Sequence, residues 1–199
     1  MAVQDYFSYL LNPLELLRTK KVLQVNPTVV SQRAEPVETK LTVYDYNTDR
    51  LDIKALTKVA DCFPYIDPQT VSWINVDGLR KDDVEAICKH FGVHYLITED
   101  ILSLGQRPKM DEIDGLLFCL LNMLYFNDKD SAVEIEQISI VLGKNFVISF
   151  QEDATRDVFN PLRERLKVGT KKVRQNGADF LFYALNNMIV DNYYVVIEK

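Results

Sequence analysis

The chain has 199 residues, is 47% hydrophobic and carries a formal net charge of −6 from 23 basic and 29 acidic side chains. That length buries one substantial core, with room for a helical extension but not for two full domains. The acidic balance excludes a general nucleic-acid binder, because neutralising phosphates needs clustered positive charge, and leaves cations or basic partners as the easier fit.

The N-terminal MAVQDYFSYLL carries Asp5 and no basic region, so it does not read as a signal peptide. YFSYLLNPLELLRTKK predicts a short helix broken near Pro13, and VNPTVVSQRAEP predicts extended chain. The first clear strand is LTVYDY, 41–46. VSWINV, 71–76, is the next, closed by an Asp77-Gly78 turn. Val84, Ile87, Cys88 and Phe91 then recur at i, i+3, i+4, i+7, which predicts an amphipathic helix with Gly92 as the residue just past its end. Strand and helix together make a β-to-α unit.

In the segment YLITEDILSL, Leu96, Ile97, Ile101 and Leu104 share one arc of a helical wheel. Asp100 falls inside that arc, whereas Glu99 and Ser103 lie just outside it. A carboxylate on an apolar face must be paired, coordinated or wetted, because burying it alone is costly. Two readings follow: an internal ion pair with Arg107 or Lys109, or a ligand for a cation at an interface.

LLFCLLNMLYF, Leu116 to Phe126, is a continuous apolar run that predicts a central strand buried on both faces. It contains Asn122 and is well short of the roughly 18 apolar residues a membrane helix needs. Ile135 to Leu142 and Phe146 to Phe150 flank Gly143-Lys144-Asn145 and predict a hairpin. Helices return in DVFNPLRERLK and in ADFLFYALNNMIVDNYYVVIEK, where Leu181, Leu185, Met188, Val195 and Val196 keep roughly helical spacing. With no Gly, Pro or capping residue before Lys199, the last segment predicts the start of a longer helix. The fold class is therefore α/β (α+β), a mixed, largely antiparallel sheet sandwiched between helices. The sandwich is expected over 1–175 and the start of a long stalk helix over 176–199.

Other groupings carry less chemistry. His90 and His94 have H-x3-H spacing, but Gly92 between them breaks the one-face geometry that a zinc pair requires. Arg163, Arg165, Lys167, Lys171, Lys172 and Arg174 form a basic cluster that reads as a solvated face or a contact to an acidic neighbour. Asn187 and Asp191 are an i, i+4 polar pair on a mostly apolar helix, either a second half-site or a hydrogen bond. Cys62, Cys88 and Cys119 are odd in number, lack C-x-x-C spacing and sit among apolar neighbours, as expected of reduced thiols in a cytoplasm. The chain lacks G-x-S-x-G, Walker, G-x-G-x-x-G and H-E-x-x-H motifs, so it does not read as an enzyme.

The succession VSWINVDG, FGVHYLITEDIL, QRPKMDE, an apolar strand, EQISIVLGKNFVISFQE, RERLK and GADFLFYALNNMIVDNYY resembles the cytoplasmic domain of the CorA family of divalent-cation channels over roughly residues 70 to 199. The resemblance implies a homopentameric channel of the inner membrane, with this domain on the cytoplasmic side sensing Mg2+. The full-length protein would carry Mg2+, with Co2+ as a second cargo, and would enter the membrane through helices beyond Lys199. It also implies that Asp100 meets a carboxylate from a neighbouring subunit's stalk and holds a regulatory Mg2+, and that Glu99 belongs to an adjacent second site. Asn187 stands where the family has a ligand of that second site, with Asp191 one turn on. A zinc-transporting relative of the family, or a soluble interaction domain without transport, are the alternatives.

Overall fold

The computed structural model describes residues 36, 38–127, 132–169 and 171–199. The expected N-terminal helix lies outside the described residues, as does the extended segment after it apart from Pro36.

The described chain runs β1 (Lys40–Tyr46), β2 (Leu51–Leu56), β3 (Val71–Asp77), α1 (Lys81–His90), α2 (Tyr95–Leu102), β4 (Lys109–Ile113), β5 (Leu116–Asn127), β6 (Ala132–Leu142), β7 (Phe146–Gln151), α3 (Asn160–Val168), α4 (Lys171–Arg174) and α5 (Ala178–Ile197). The strands form one sheet in the order β2-β1-β3-β7-β6-β5-β4. Every neighbouring pair is antiparallel except β3 and β7, which are parallel.

Strand alternation divides the core into two apolar layers. Leu41, Val43, Ile74, Val76, Phe118, Leu120, Val141, Ile148 and Phe150 project to the side covered by α1 and α2. Tyr44, Tyr46, Trp73, Cys119, Met123, Ile138, Ile140 and Val147 project to the side covered by α3 and α5. The result is a three-layer α/β/α sandwich. In α1, Val84, Ile87 and Cys88 are the buried stripe, as the spacing predicts, and Gly92 has φ of 70° just past the helix.

The expected strand pattern needs correction in two respects. β5 is the penultimate strand and not a central one; β7 is central. Phe118, Cys119, Leu120 and Met123 of β5 are buried, and α5 reaches the far end of the strand, where Asn192 Nδ2 donates to the Leu124 carbonyl at 2.6 Å, while Val133 and Ile135 of the paired β6 stay exposed. The apolar run therefore outlasts the α1 and α2 layer on one face, because periodicity alone cannot say how far a covering layer reaches. The strands β2 and β4 were not anticipated. Both are sheet edges of mixed charged and apolar residues, LDIKAL and KMDEI. Charge on an edge blocks further strand pairing and also erases the burial pattern by which a strand is read. The expected hairpin is present as β6-β7, and a Cβ on Gly143 would fall 2.3 Å from the Phe146 ring, so the turn requires glycine there.

Candidate functional site

His94 opens α2, its Nδ1 accepting from the Leu96 amide at 3.3 Å in place of the missing helical partner. Ile97 and Ile101 bury the helix against the sheet. Its other end is held by Gln137 of β6, which projects to the same side of the sheet. The Gln137 Nε2 donates to the carbonyl oxygens of Asp100 at 3.1 Å and of Ser103 at 3.0 Å, and its Oε1 accepts from the Gln106 amide at 3.3 Å. A side chain that is 93% buried thus satisfies two of the unpaired carbonyls at a helix C-terminus. Gln137 was not singled out from the sequence; the available signal was a lone amide at an inward position of EQISIV.

On this clamped helix Glu99 is exposed, and Asp100 sits at the rim of the sandwich. Asp100 Oδ2 lies 2.5 Å from Nζ of Lys109, the first residue of β4. The same ammonium lies 3.6 Å from Asp111 Oδ2. Of the two partners weighed for Asp100, Lys109 takes the carboxylate while Arg107 is exposed. The carboxylate of Asp100 holds the Lys109 ammonium above its ordinary range.

The second set of candidates lies on α5. Asn187 Nδ2 donates to Asp191 Oδ2 at 2.9 Å, and both side chains face solvent. Leu181, Phe182, Leu185 and Ile189 pack the opposite side of α5 on the sheet. Because α2 and α5 cover opposite faces, the sheet itself separates Glu99 and Asp100 from Asn187 and Asp191 within one chain. Among the described residues no group of three or more His, Cys, Asp or Glu is gathered as a metal cluster. What the chain offers a hard cation is two adjacent carboxylates on one helix and an amide-carboxylate pair on another.

The two histidines are engaged separately. His90 Nε2 lies 3.0 Å from the Phe63 carbonyl oxygen and its ring stacks on Phe63 at 4.0 Å, while His94 caps α2. The basic cluster also divides into local roles. Arg163 pairs with Asp157 and stands over the rings of Trp73 at 5.1 Å and Tyr44 at 5.8 Å. Lys167 pairs with Glu164 at 2.8 Å, and Arg174 donates to the Leu166 carbonyl at the end of α3. The side chains of Lys171 and Lys172 lie outside the described residues. The three cysteines are buried and unbridged, and burial pushes the Cys62 thiol up to about 12 and that of Cys88 up to about 11.

One polar chain was not anticipated. Trp73 Nε1 donates to Ser149 Oγ at 2.9 Å, Ser149 donates to Asn75 Oδ1 at 2.8 Å, and Asn75 Nδ2 donates to both Asp77 oxygens at 3.0 Å. It links the parallel strands β3 and β7 across their shared face. Burial, reinforced by the Asp157 carboxylate, pushes Asp77 up to about 6.

The family model of the CorA-like Mg2+ transporter proteins matches residues 68–199. The chain belongs to this family. Its α2 acidic pair, β6-β7 hairpin and α5 all fall inside the matched region. Over 161 residues it is 36% identical to the cobalt/magnesium transport protein CorA of Thermotoga maritima, covering 80% of this chain and 46% of that protein. The chain thus spans about half the length of that CorA relative. The full-length CmaX protein shares the fold with a TM-score of 0.64 at 16% identity, over 83% of this chain and 50% of that one. The soluble domain of CorA from Methanocaldococcus jannaschii does so with a TM-score of 0.57 at 13% identity, over 78% of this chain and 58% of that one. Among the described residues no helix is long and apolar enough to cross a membrane.

Proposed function

We propose that this CorA-family chain is the cytoplasmic, Mg2+-sensing domain of a divalent-cation channel that carries Mg2+, with Co2+ as a second cargo, across the inner membrane as a pentamer. The sandwich, with the first turns of α5 packed on its sheet through Leu181, Leu185 and Ile189, is the sensing body, and the end of α5 leads toward the stalk. The observation that carries this reading is the placement of the acidic sets. Glu99 and Asp100 stand at the rim on a helix clamped by Gln137, and the sheet lies between them and Asn187-Asp191. A cation bridging carboxylate sets of this kind must take them from different chains, as a regulatory contact between subunits requires.

The donor set fits Mg2+, which takes hard oxygen ligands, keeps much of its water and is bound weakly by one or two carboxylates. Bound Mg2+ would supply positive charge between two facing carboxylates. Asp100 would serve the first site, Glu99 the adjacent one, and Asn187 with Asp191 would offer an amide oxygen and a carboxylate from the other layer. Weak binding suits a sensor of an abundant ion. At a concentration equal to Kd each site favours the bound state by about 0.4 kcal/mol, and at ten times Kd by about 1.4 kcal/mol. Five equivalent interfaces would sum to roughly 2 and 7 kcal/mol, which brackets the roughly 5.5 kcal/mol needed to move a gate from 1:99 to 99:1. The cobalt/magnesium name of the Thermotoga maritima relative supports the choice of cation.

The test is Mg2+-dependent protease protection of the full-length gene product, wild type against Asp100→Asn, alongside thermal melts of the 199-residue chain. Asp100→Asn keeps volume and one oxygen but removes the charge, so protection should lose most of its Mg2+ dependence. Because the Asp100–Lys109 pair is partly exposed, the melt should fall by no more than the equivalent of about 1 kcal/mol. Normal Mg2+ protection with a much lower melting temperature would sink the sensor assignment.

A further inference from the structure

We propose that Lys109 is a built-in competitor for the cation at Asp100: its ammonium occupies the carboxylate that the regulatory cation must take, and so sets the concentration at which the site fills. This rests on Asp100 being a cation ligand, as proposed above.

The geometry has three parts. First, Nζ of Lys109 is 2.5 Å from Asp100 Oδ2, so a divalent cation drawn to that carboxylate meets a positive charge already seated on it and is opposed until the ammonium moves away. Second, the displaced ammonium has somewhere to go. Alternation along β4 puts Lys109 and Asp111 on the same side of the strand, and Asp111 Oδ2 is already 3.6 Å from Nζ. Lysine is a compact point charge on a flexible stem, and with its side chain 34% exposed it can swing to Asp111 or to water. Third, the helix does not depend on the pair. Burial of Ile97 and Ile101 and the double donation from Gln137 fix α2 independently. Lys109 can therefore be removed without moving Asp100.

Filling the site is then an exchange of one cation for another and not the capture of an ion by a bare carboxylate. In the ion-free state the lysine also neutralises Asp100, which limits the repulsion between carboxylates that emptying the site would otherwise unleash. A competing ion pair at the protein surface is weak, so it raises the apparent Kd by roughly two- to six-fold per site.

The experiment is an Mg2+ titration of protease protection on the full-length gene product as wild type, Lys109→Met, Lys109→Gln, Lys109→Arg and Asp100→Asn, with melts of each to show that it is folded. Lys109→Met and Lys109→Gln should lower the half-protecting Mg2+ concentration by roughly two- to six-fold, while Lys109→Arg, which keeps the charge, should not lower it. Asp100→Asn should lose the response. An unchanged or higher midpoint in both neutral variants, with Asp100→Asn still unresponsive, overturns the competition and leaves the site reading in place. A lowered midpoint in Lys109→Arg equal to that of Lys109→Met also overturns it, since charge would then not be the cause. A wild-type response in Asp100→Asn overturns the site reading and the competition with it.

Discussion

Gln137 on β6 donates its side-chain amide to the backbone carbonyl of Asp100 at 3.1 Å, tying the helix that carries the acidic pair to the sheet. The same amide reaches Ser103 at 3.0 Å. Gln137→Leu keeps the bulk but leaves the Asp100 and Ser103 carbonyls and the Gln106 amide without this partner, a loss of about 1 to 3 kcal/mol. The expected melting temperature of the chain falls by roughly 2 to 4 °C per kcal/mol. Amide exchange should localise the loosening to the end of α2; uniform exchange across the sheet would contradict a local clamp.

How far the sequence revealed this site depends on what each signal reports. The arc of Ile97 and Ile101 with Asp100 inside it, and the motif order around ITEDIL and QRPK, located the acidic helix and the family. Choosing Lys109 over Arg107 as the partner of Asp100 was beyond the sequence, because that choice is made by the register of β4, an edge strand whose charges hide its periodicity. The opposition of α2 and α5 across the sheet was also hidden. It follows from β3 and β7 being parallel neighbours at the centre, a pairing between residues about seventy positions apart that no local pattern records.

Arg163 and Asp157 form an ion pair with side chains only 11% and 10% exposed, beneath which lie Trp73 and Tyr44. Arg163→Met leaves the Asp157 charge buried without its partner, and the expected cost is about 3 kcal/mol. Adding Asp157→Asn should recover part of this loss, since Asn can still accept from the Phe159 amide as Asp157 does at 2.7 Å. Denaturant unfolding followed through Trp73, the single tryptophan, measures both. Equal stability of the single and double variants would show that stacking on the rings, and not the orphaned charge, sets the cost.

The pH dependence of Asp77 has a definite sign. Burial first, and then the Asp157 carboxylate, raise it from an ordinary value of 3.8 to about 6, against the opposing pull of Asn75 and Arg163. Between those values the folded chain holds a proton that the unfolded chain has lost, so this group destabilises the fold as pH rises through 6 and ceases to do so below 4. Asp77→Asn removes the charge while retaining an oxygen for Asn75. The variant should therefore melt above wild type at pH 8, with the difference shrinking as pH falls toward 5. A constant difference across that range would rule out titration of Asp77 as its origin.

Asn187→Asp tests the contribution of α5 in the other direction. The substitution replaces a neutral amide with a carboxylate one turn from Asp191 and loses the 2.9 Å hydrogen bond between them. Two like charges at i, i+4 on an exposed helix face should destabilise the 199-residue chain by roughly 0.2 to 0.5 kcal/mol at low salt, an effect that salt screens. If Asn187 and Asp191 form part of a cation site completed by another chain, the added charge should strengthen it in the full-length gene product and lower the Mg2+ concentration that protects against protease. The two readouts separate because the first concerns one chain and the second an interface. A variant that loses stability in the predicted range, yet keeps the wild-type Mg2+ midpoint, would confine Asn187 to a hydrogen bond along its own helix and leave Glu99 and Asp100 to carry the sensing alone.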